Sequence, residues 1–229
     1  NAIIGMTELV LKSSLSAKNR ENLLLVLQAA ESLLAIINDV LDFSKTEAGK
    51  QELHIESFQL RNLVGDAVKT LGLKAHQKSL ELAYYVPVEI PDHLGGDAGK
   101  LRQVLVNLIA NAVKFTSEGE VVVRVKEIRR EIGRIWLNFE VSDTGIGIPQ
   151  HKQNSVFEAF EQVDSTTTRQ YGGTGLGLAI VRGLVSLMGG NISLESEVGK
   201  GSAFNFTVPF VLEPPPMTNE LEPHALSGK

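Results

Sequence analysis

Cysteine is absent from the 229 residues. Disulfide scaffolds, thiolate metal sites and cysteine nucleophiles are thereby excluded. No uninterrupted run of 18 apolar residues occurs, which argues against a membrane span. There is no excess of positive charge: 22 Lys and Arg stand against 27 Asp and Glu, a net charge of −5. That speaks against bulk nucleic-acid binding and against an electrostatic grip on anionic lipid. The chain has neither an initiator Met nor a signal peptide and begins in mid-pattern at Asn1, so a piece of a longer protein is expected. What is present is ordinary for a folded chain, 43% hydrophobic and 21% charged residues. The length predicts one or two domains. Nine of the 21 glycines crowd between Gly172 and Gly201.

The first 49 residues predict two helices. Ile3, Ile4, Leu9, Val10 and Leu11 mark the first, and Ser13, Ser14 and Ser16 break it. The second runs from about Ala17 to Ala48, with Gly49 as its C-cap. Leu23, Leu27, Ala30, Leu34, Ile37, Leu41 and Ser44 form a heptad seam. Val26, Leu33, Ile36 and Val40 widen the apolar face beyond a two-stranded seam. Two helices cannot close so wide a core, so a dimeric four-helix bundle is expected; the alternative is a packing surface against the rest of the chain. From Gln51 the period changes. A strand near Leu53 to Phe58, a helix from Leu60 to Gln77 and a strand near Leu80 to Val86 are expected. A helix from Asp97 to Lys114 follows, with Asp97 as N-cap. Alternating strands follow at Val121 to Val125 and Ile135 to Val141. His151 to Tyr171 predicts a functional loop, Gly175 to Met188 a helix, and Ile192 to Phe210 a hairpin across Gly199-Lys200-Gly201. Residues Glu213 to Lys229, with four of the eight prolines, predict a linker. Strands mixed with helices without strict alternation point to an α+β sandwich, a mixed sheet with helices on one face.

Three motifs carry chemistry. Asn107, Asn111 and Lys114 fall on one face of the third long helix. Amide oxygens are hard ligands suited to Mg²⁺, and Lys offers a point charge for phosphate. Two asparagines on the solvated side of a helix would look the same. Asp143-Thr144-Gly145-Ile146-Gly147 follows a strand directly. Such an Asp can accept a hydrogen bond from an exocyclic amine, and the glycines would let a ligand approach the backbone. Asp-Thr-Gly is also a good turn sequence. An aspartic protease would need two such Asp and a more β-rich chain. Gly172-Gly173-Thr174-Gly175-Leu176-Gly177 opens a helix and offers an anion cradle. It is neither a Walker A loop, lacking Gly-Lys-Ser/Thr, nor a Rossmann fingerprint, lacking a preceding strand.

In order and content these segments resemble a sensor histidine kinase, with an ATP-binding domain of the Bergerat superfamily of gyrase, chaperone and mismatch-repair ATPases. Asn107 to Phe115 resembles the N box, Asp143 to Gly147 the first glycine box, Phe157 to Phe160 the phenylalanine box, and Gly173 to Gly177 the second glycine box. The stretch from Thr168 to Ile180 is similar to that of hybrid kinases. The resemblance covers residues 1 to about 211. It implies that Asn111 coordinates Mg²⁺, with Asn107 beside it, that Lys114 contacts phosphate and that Asp143 reads adenine. Phe115, Gly145, Gly147, Gly173, Thr174, Gly175, Leu176 and Gly177 would shape the pocket. Gln150 to Gly173 would form a mobile lid anchored by Phe157 and Phe160. The ATPases of the superfamily carry Glu where this chain has Asn107, and an amide cannot activate water as a base. Transfer to a positioned imidazole is then the better reading.

Asn1 to Met6 resembles the segment just after the phosphoacceptor histidine, in the pattern His-Glu-x-x-Thr-Pro-x-Asn. Asn1 would be its last residue, placing that histidine seven residues earlier. None of the five histidines replaces it. His54 is expected in a strand, His76 at a helix end, His93 in a loop, His151 in the lid and His224 in the tail. The expected division is a dimerisation and phosphotransfer hairpin at 1–49, an ATP-binding domain at 50–212 and a linker toward a receiver domain at 213–229. The resemblance implies ATP and Mg²⁺ as cofactors, a homodimer, and a fused or separate receiver domain as partner. It implies a cytoplasmic setting, with no contact to nucleic acid or membrane from this piece. The alternatives are a Bergerat-type ATPase switch gating a dimer, and a degenerate kinase kept only for binding.

Overall fold

The structure is a computed structural model and describes residues 2–47, 51–159, 161 and 175–212. Two helices come first, α1 (Ala2–Leu11) and α2 (Ala17–Glu47). α1 covers only part of the heptad seam: Leu23, Leu27, Ala30 and Leu34 are half-buried. Leu25, Leu33, Ile36, Ile37, Val40 and Leu41 stay exposed, an apolar face that a single chain leaves open. By length and composition alone α2 is apolar enough to cross a membrane. Its apolar run is not uninterrupted, because Gln28, Glu31 and Ser32 break it without lowering the average much.

The remaining elements are β1 (Glu56–Gln59), α3 (Leu60–Gln77), β2 (Glu81–Tyr85), β3 (His93–Gly96), α4 (Ala98–Phe115), β4 (Glu120–Glu131) and β5 (Arg134–Asp143). Two short 3₁₀ turns follow, and then α5 (Gly177–Leu187), β6 (Asn191–Glu197) and β7 (Gly201–Leu212). The sheet runs β1-β3-β7-β5-β4-β2, and only β2 pairs with its neighbour in parallel. β7 is the long axis of the sheet. One of its edges pairs with β5 from Ser202 to Val211. Its other edge is shared by β6, up to Thr207, and β3, from Val211. Pro209 falls between those two partners, where the missing N–H breaks no ladder on that edge.

One face of the sheet is apolar. Val121, Val123, Val125, Ile135, Leu137, Phe139, Val141, Phe204, Phe206, Val208 and Phe210 alternate into the core. Phe139 stacks on Phe206 with ring centroids 4.8 Å apart. α3, α4 and α5 bury their apolar stripes against this face, with Leu60, Leu101, Leu105, Leu108 and Ile180 fully enclosed. The opposite face carries Arg124 and Lys126, which both pair with Glu140. The result is an open-faced α+β sandwich, as expected from the sequence.

Three expectations change. β3 is a strand where the sequence predicted a loop around His93. His54 precedes β1 instead of lying in it, and its side chain is 85% exposed. β4 runs on to Glu131, well past Val125, because its outer half pairs with the start of β5 across the Gly133 turn. The Gly49 cap and the linker at 213–229 lie outside the described residues.

Candidate functional site

α4 supplies the amide face. Its start is fixed by Asp97, whose Oδ1 accepts the backbone N–H of Lys100 at 2.9 Å. Leu101, Val104, Leu105, Leu108, Ile109, Ala112 and Val113 bury one side. Asn107, Asn111 and Lys114 sit half-buried at the margin of that stripe, so they are not simply solvated surface residues. Burial depresses the Lys114 ammonium pKa, and its Nζ lies 4.7 Å from the centroid of the Phe115 ring.

The end of α4 is held by a residue that sequence reasoning missed. The Nζ of Lys78 donates to the carbonyls of Val113 and Lys114 at 2.8 Å each, and to that of Thr116 at 3.2 Å. A cation there also complements the negative end of the helix dipole. No local pattern around Lys78 announces this, because its partners lie 35 to 38 residues away.

The first glycine box packs against that same helix end. Asp143 closes β5, and its Oδ1 accepts the backbone N–H of Gly145 at 2.8 Å. The backbone N–H of Ser202 also bonds to the carboxylate. Burial raises the Asp143 pKa, and the two backbone bonds oppose the shift without cancelling it. Ile146 donates its N–H to the Phe115 carbonyl at 3.4 Å. A Cβ at Gly145 would lie 2.6 Å from that carbonyl oxygen. Gly147 has φ +69°, and a Cβ there would meet the Glu197 carbonyl oxygen at 2.1 Å. The atoms that demand glycine at both positions are therefore protein backbone, where the sequence suggested a ligand.

A hydroxyl ties this loop to the β6–β7 hairpin. The Oγ of Ser196 accepts the Ile148 N–H at 2.7 Å and reaches the Gly201 carbonyl and the Ser202 hydroxyl at 2.9 Å each. The amide of Gln153 bridges the carbonyls of Ile148 and Ser196 at 2.9 and 2.8 Å. Ser196→Ala removes the Oγ that serves the Ile148 N–H, the Gly201 carbonyl and the Ser202 hydroxyl, and is expected to cost about 1–3 kcal/mol. Urea denaturation of the purified chain measures that loss.

Phe157 packs edge-on against Phe204, with centroids 6.2 Å apart, and Val156 beside it is buried. The segment proposed as a lid is thus fastened to the sheet at its near end. Gly175 has φ +72°, Leu176 is buried, and Gly177 begins α5 with no side-chain cap at its N-terminus. Phe160, Gly173 and Thr174 lie outside the described residues. The structure therefore aligns Asn107, Asn111 and Lys114 along the C-terminal half of α4 and packs the Asp143–Gly147 loop against its end at Phe115. A separate groove lined by Glu56, Asn62, Asp66, His93 and Arg102 lies at the opposite end of the helix and holds none of these residues.

The donor set bears on Mg²⁺. Among the described residues no three His, Cys, Asp or Glu side chains gather to hold a metal. An all-protein carboxylate cage is not what this site offers. Amide oxygens from α4, with nucleotide phosphates completing the shell, fit Mg²⁺ as it is usually bound beside phosphates.

A helix with paired amides, an Asp-Gly loop at its end and a glycine-opened helix, all on one face of a mixed sheet, define the Bergerat class of ATP-binding domain. Residues 96–212 match the family described as histidine kinase-, DNA gyrase B- and HSP90-like ATPase. Residues 1–49 match the His kinase A phospho-acceptor domain. The chain belongs to the sensor histidine kinases of two-component systems. It is similar to the signal transduction histidine-protein kinase BarA of Escherichia coli K12, 41% identical over 229 residues, which is all of this chain and 25% of that protein. It is also similar to the sensor histidine kinase GacS of Pseudomonas protegens, 43% identical over 204 residues, 89% of this chain and 22% of that one. The chain thus spans about a quarter of the length of these relatives. Among solved structures, full-length ShkA in complex with AMPPNP superposes with a TM-score of 0.77 at 34% identity, over 92% of this chain and 43% of that one. The Acinetobacter baumannii histidine kinase AdeS shares the fold, with a TM-score of 0.64 at 20% identity over 90% of this chain and 93% of that one.

Proposed function

We propose that this chain is the core that binds ATP with Mg²⁺ and passes the γ-phosphoryl group to a histidine of the phospho-acceptor helix. Its parts divide at 49/50 and 212/213, with the last segment leading toward a receiver domain. The observation that carries the reading is the half-buried face of Asn107, Asn111 and Lys114 on α4, with the Asp143 loop packed against the end of that helix.

Asp143 would accept the adenine amine, Asn111 would hold Mg²⁺ with Asn107 beside it on the phosphates or the metal, and Lys114 would contact the phosphates. When bound, Mg²⁺ neutralises phosphate charge. An imidazole nitrogen forms the new bond to the γ-phosphorus as the bond to the β-bridging oxygen breaks, and ADP leaves with that electron pair. The imidazole proton passes to a base beside that histidine. With an amide at Asn107 no side chain there can activate water, so transfer outruns hydrolysis. Catalysis then rests on orientation and charge.

The exposed apolar face of α2 supports a homodimer through the N-terminal helices. A receiver domain, fused or separate, would take the phosphoryl group onward, as the similarity to BarA and GacS suggests. ATP binding and the absence of cysteine suit a cytoplasmic setting.

The test extends the chain upstream by some twenty residues and adds γ-labelled ATP. Acid-labile, base-stable label on the new histidine is the expected result. Steady phosphate release without protein label would establish the ATPase switch instead. Nucleotide binding with neither label nor release would establish a binding module.

A further inference from the structure

Asp97 makes two connections with one carboxylate. Its Oδ1 caps α4 through the N–H of Lys100, and its Oδ2 accepts the backbone N–H of His54 at 2.9 Å, 43 residues earlier. The Lys100 ammonium stands 3.4 Å from Oδ2. The residue is only 6% exposed. Burial alone would raise the Asp97 pKa, but the two backbone bonds and Lys100 outweigh it, and the net shift is downward.

The partner is as telling as the carboxylate. His54 lies in the connector between α2 and β1. Its side chain points into solvent, so its N–H is what engages Asp97. Upstream, Phe43 near the end of α2 packs against the core of the sandwich. The path out of the bundle is therefore fastened at Phe43 and again at His54, and the second fastening is made to the first turn of the helix that carries Asn107, Asn111 and Lys114.

We propose that Asp97 is a positioning residue for phosphoryl transfer, setting through its bond to the His54 N–H the angle at which the nucleotide-binding helix meets the bundle. This rests on the functional reading above. Asn107 and Asn111 lie about 15 and 21 Å along α4 from Asp97. A rotation of about 10° at that pivot moves a group roughly 20 Å away by about 3.5 Å. That is as large as the whole separation of reacting atoms in a near-attack arrangement, about 3–3.5 Å. A loosened pivot leaves the ATP pocket intact and misaims its contents.

Two substitutions separate this role from helix capping. Asp97→Ser keeps an oxygen for the Lys100 N–H but is too short to reach His54 as well. His54→Pro leaves Asp97 in place and removes the donor, while also fixing φ at residue 54 and holding Leu53 extended. Both are made in the full chain that holds the phosphoacceptor histidine. KM for ATP and kcat for histidine labelling are measured, with the Kd of a non-hydrolysable ATP analogue. Both variants are expected to lower kcat about tenfold or more, with KM and Kd within about twofold of the parent. A rise in Kd and KM with kcat unchanged would assign Asp97 to the shape of the pocket and overturn the proposal. So would variants indistinguishable from the parent. Should Asp97→Ser fail to fold, His54→Pro in the exposed connector decides alone. A parent chain that binds nucleotide yet never labels its histidine would sink the functional reading and this one together. A parent that labels, matched by both variants, would sink the pivot alone.

Discussion

Asp143→Asn is expected to weaken nucleotide binding by about 10- to 100-fold while leaving the empty protein as stable as before or more so. The affinity loss follows from the chemistry of the bond. A carboxylate accepting from an exocyclic amine is a charge-assisted contact worth about 1.5–3 kcal/mol, and each 1.4 kcal/mol is about tenfold in Kd. The stability side follows from the direction of the pKa shift. Burial holds the Asp143 carboxyl above its ordinary value of 3.8. The folded chain therefore keeps this proton more tightly than the unfolded chain does. Going up in pH from 3.8 through the raised folded value, the folded state gives up stability, and above that window the whole cost is present. Asn carries no charge to desolvate, so the variant escapes the cost at pH 7 and gains nothing below pH 3.8. Titration with a fluorescent ATP analogue measures the first effect, and thermal melts at pH 7 and pH 3.5 the second. A variant with parental affinity would remove Asp143 from the adenine site. A variant less stable at pH 7 would show that the bonds from Gly145 and Ser202 outweigh the burial.

That trade is invisible in the sequence, and it marks where sequence reasoning stops. The boundaries of α3 and α4 were legible because their apolar residues recur at helical spacing and Asp97 stands where a cap belongs. The amide face was legible for the same reason, since Asn107, Asn111 and Lys114 follow from periodicity alone. β3 was not legible. It has four residues, two of them glycine, and it is a strand only because β1 and the far end of β7 pair with it. The outer half of β4 was hidden by its charges, Lys126, Glu127, Arg129 and Arg130, which ride on an exposed hairpin arm without an apolar alternation. Lys78 and Ser196 were hidden for a third reason. Their function is to satisfy backbone groups brought near by the fold, and nothing in the local sequence says which groups those are. The glycines of the Asp143 loop suggest room for a ligand, and the atoms that come close to them in the fold are Phe115 and Glu197 backbone.

Asn111→Ala is expected to lower the rate of histidine labelling by at least about 100-fold, the largest effect of any single change proposed for this chain. The side chain sits one turn beyond Asn107 on the half-buried margin of α4, and alanine is the best helix former, so the helix itself should hold. What is lost is a hard oxygen donor where the described residues offer no carboxylate cage to take its place. Misplaced phosphate charge and a misplaced phosphorus both follow, and catalysis by orientation tolerates neither: a displacement near 1 Å can cost about 100-fold. The adenine contact proposed for Asp143 would be untouched, so affinity for the nucleotide measured without Mg²⁺ should stay within about threefold of the parent. The informative measurement is therefore a pair of titrations, with Mg²⁺ and with a chelator. In the parent the metal should tighten ATP binding, and in the variant that gain should vanish. Asn111→Asp provides the opposite control, because it keeps an oxygen at the same place and adds a charge. If the role at position 111 is metal coordination, Asp should retain more of the Mg²⁺ dependence than Ala does, while its added charge repels the phosphates when the metal is withdrawn. Equal losses in both variants, with and without the metal, would mean that Asn111 shapes α4 and does not touch the ion.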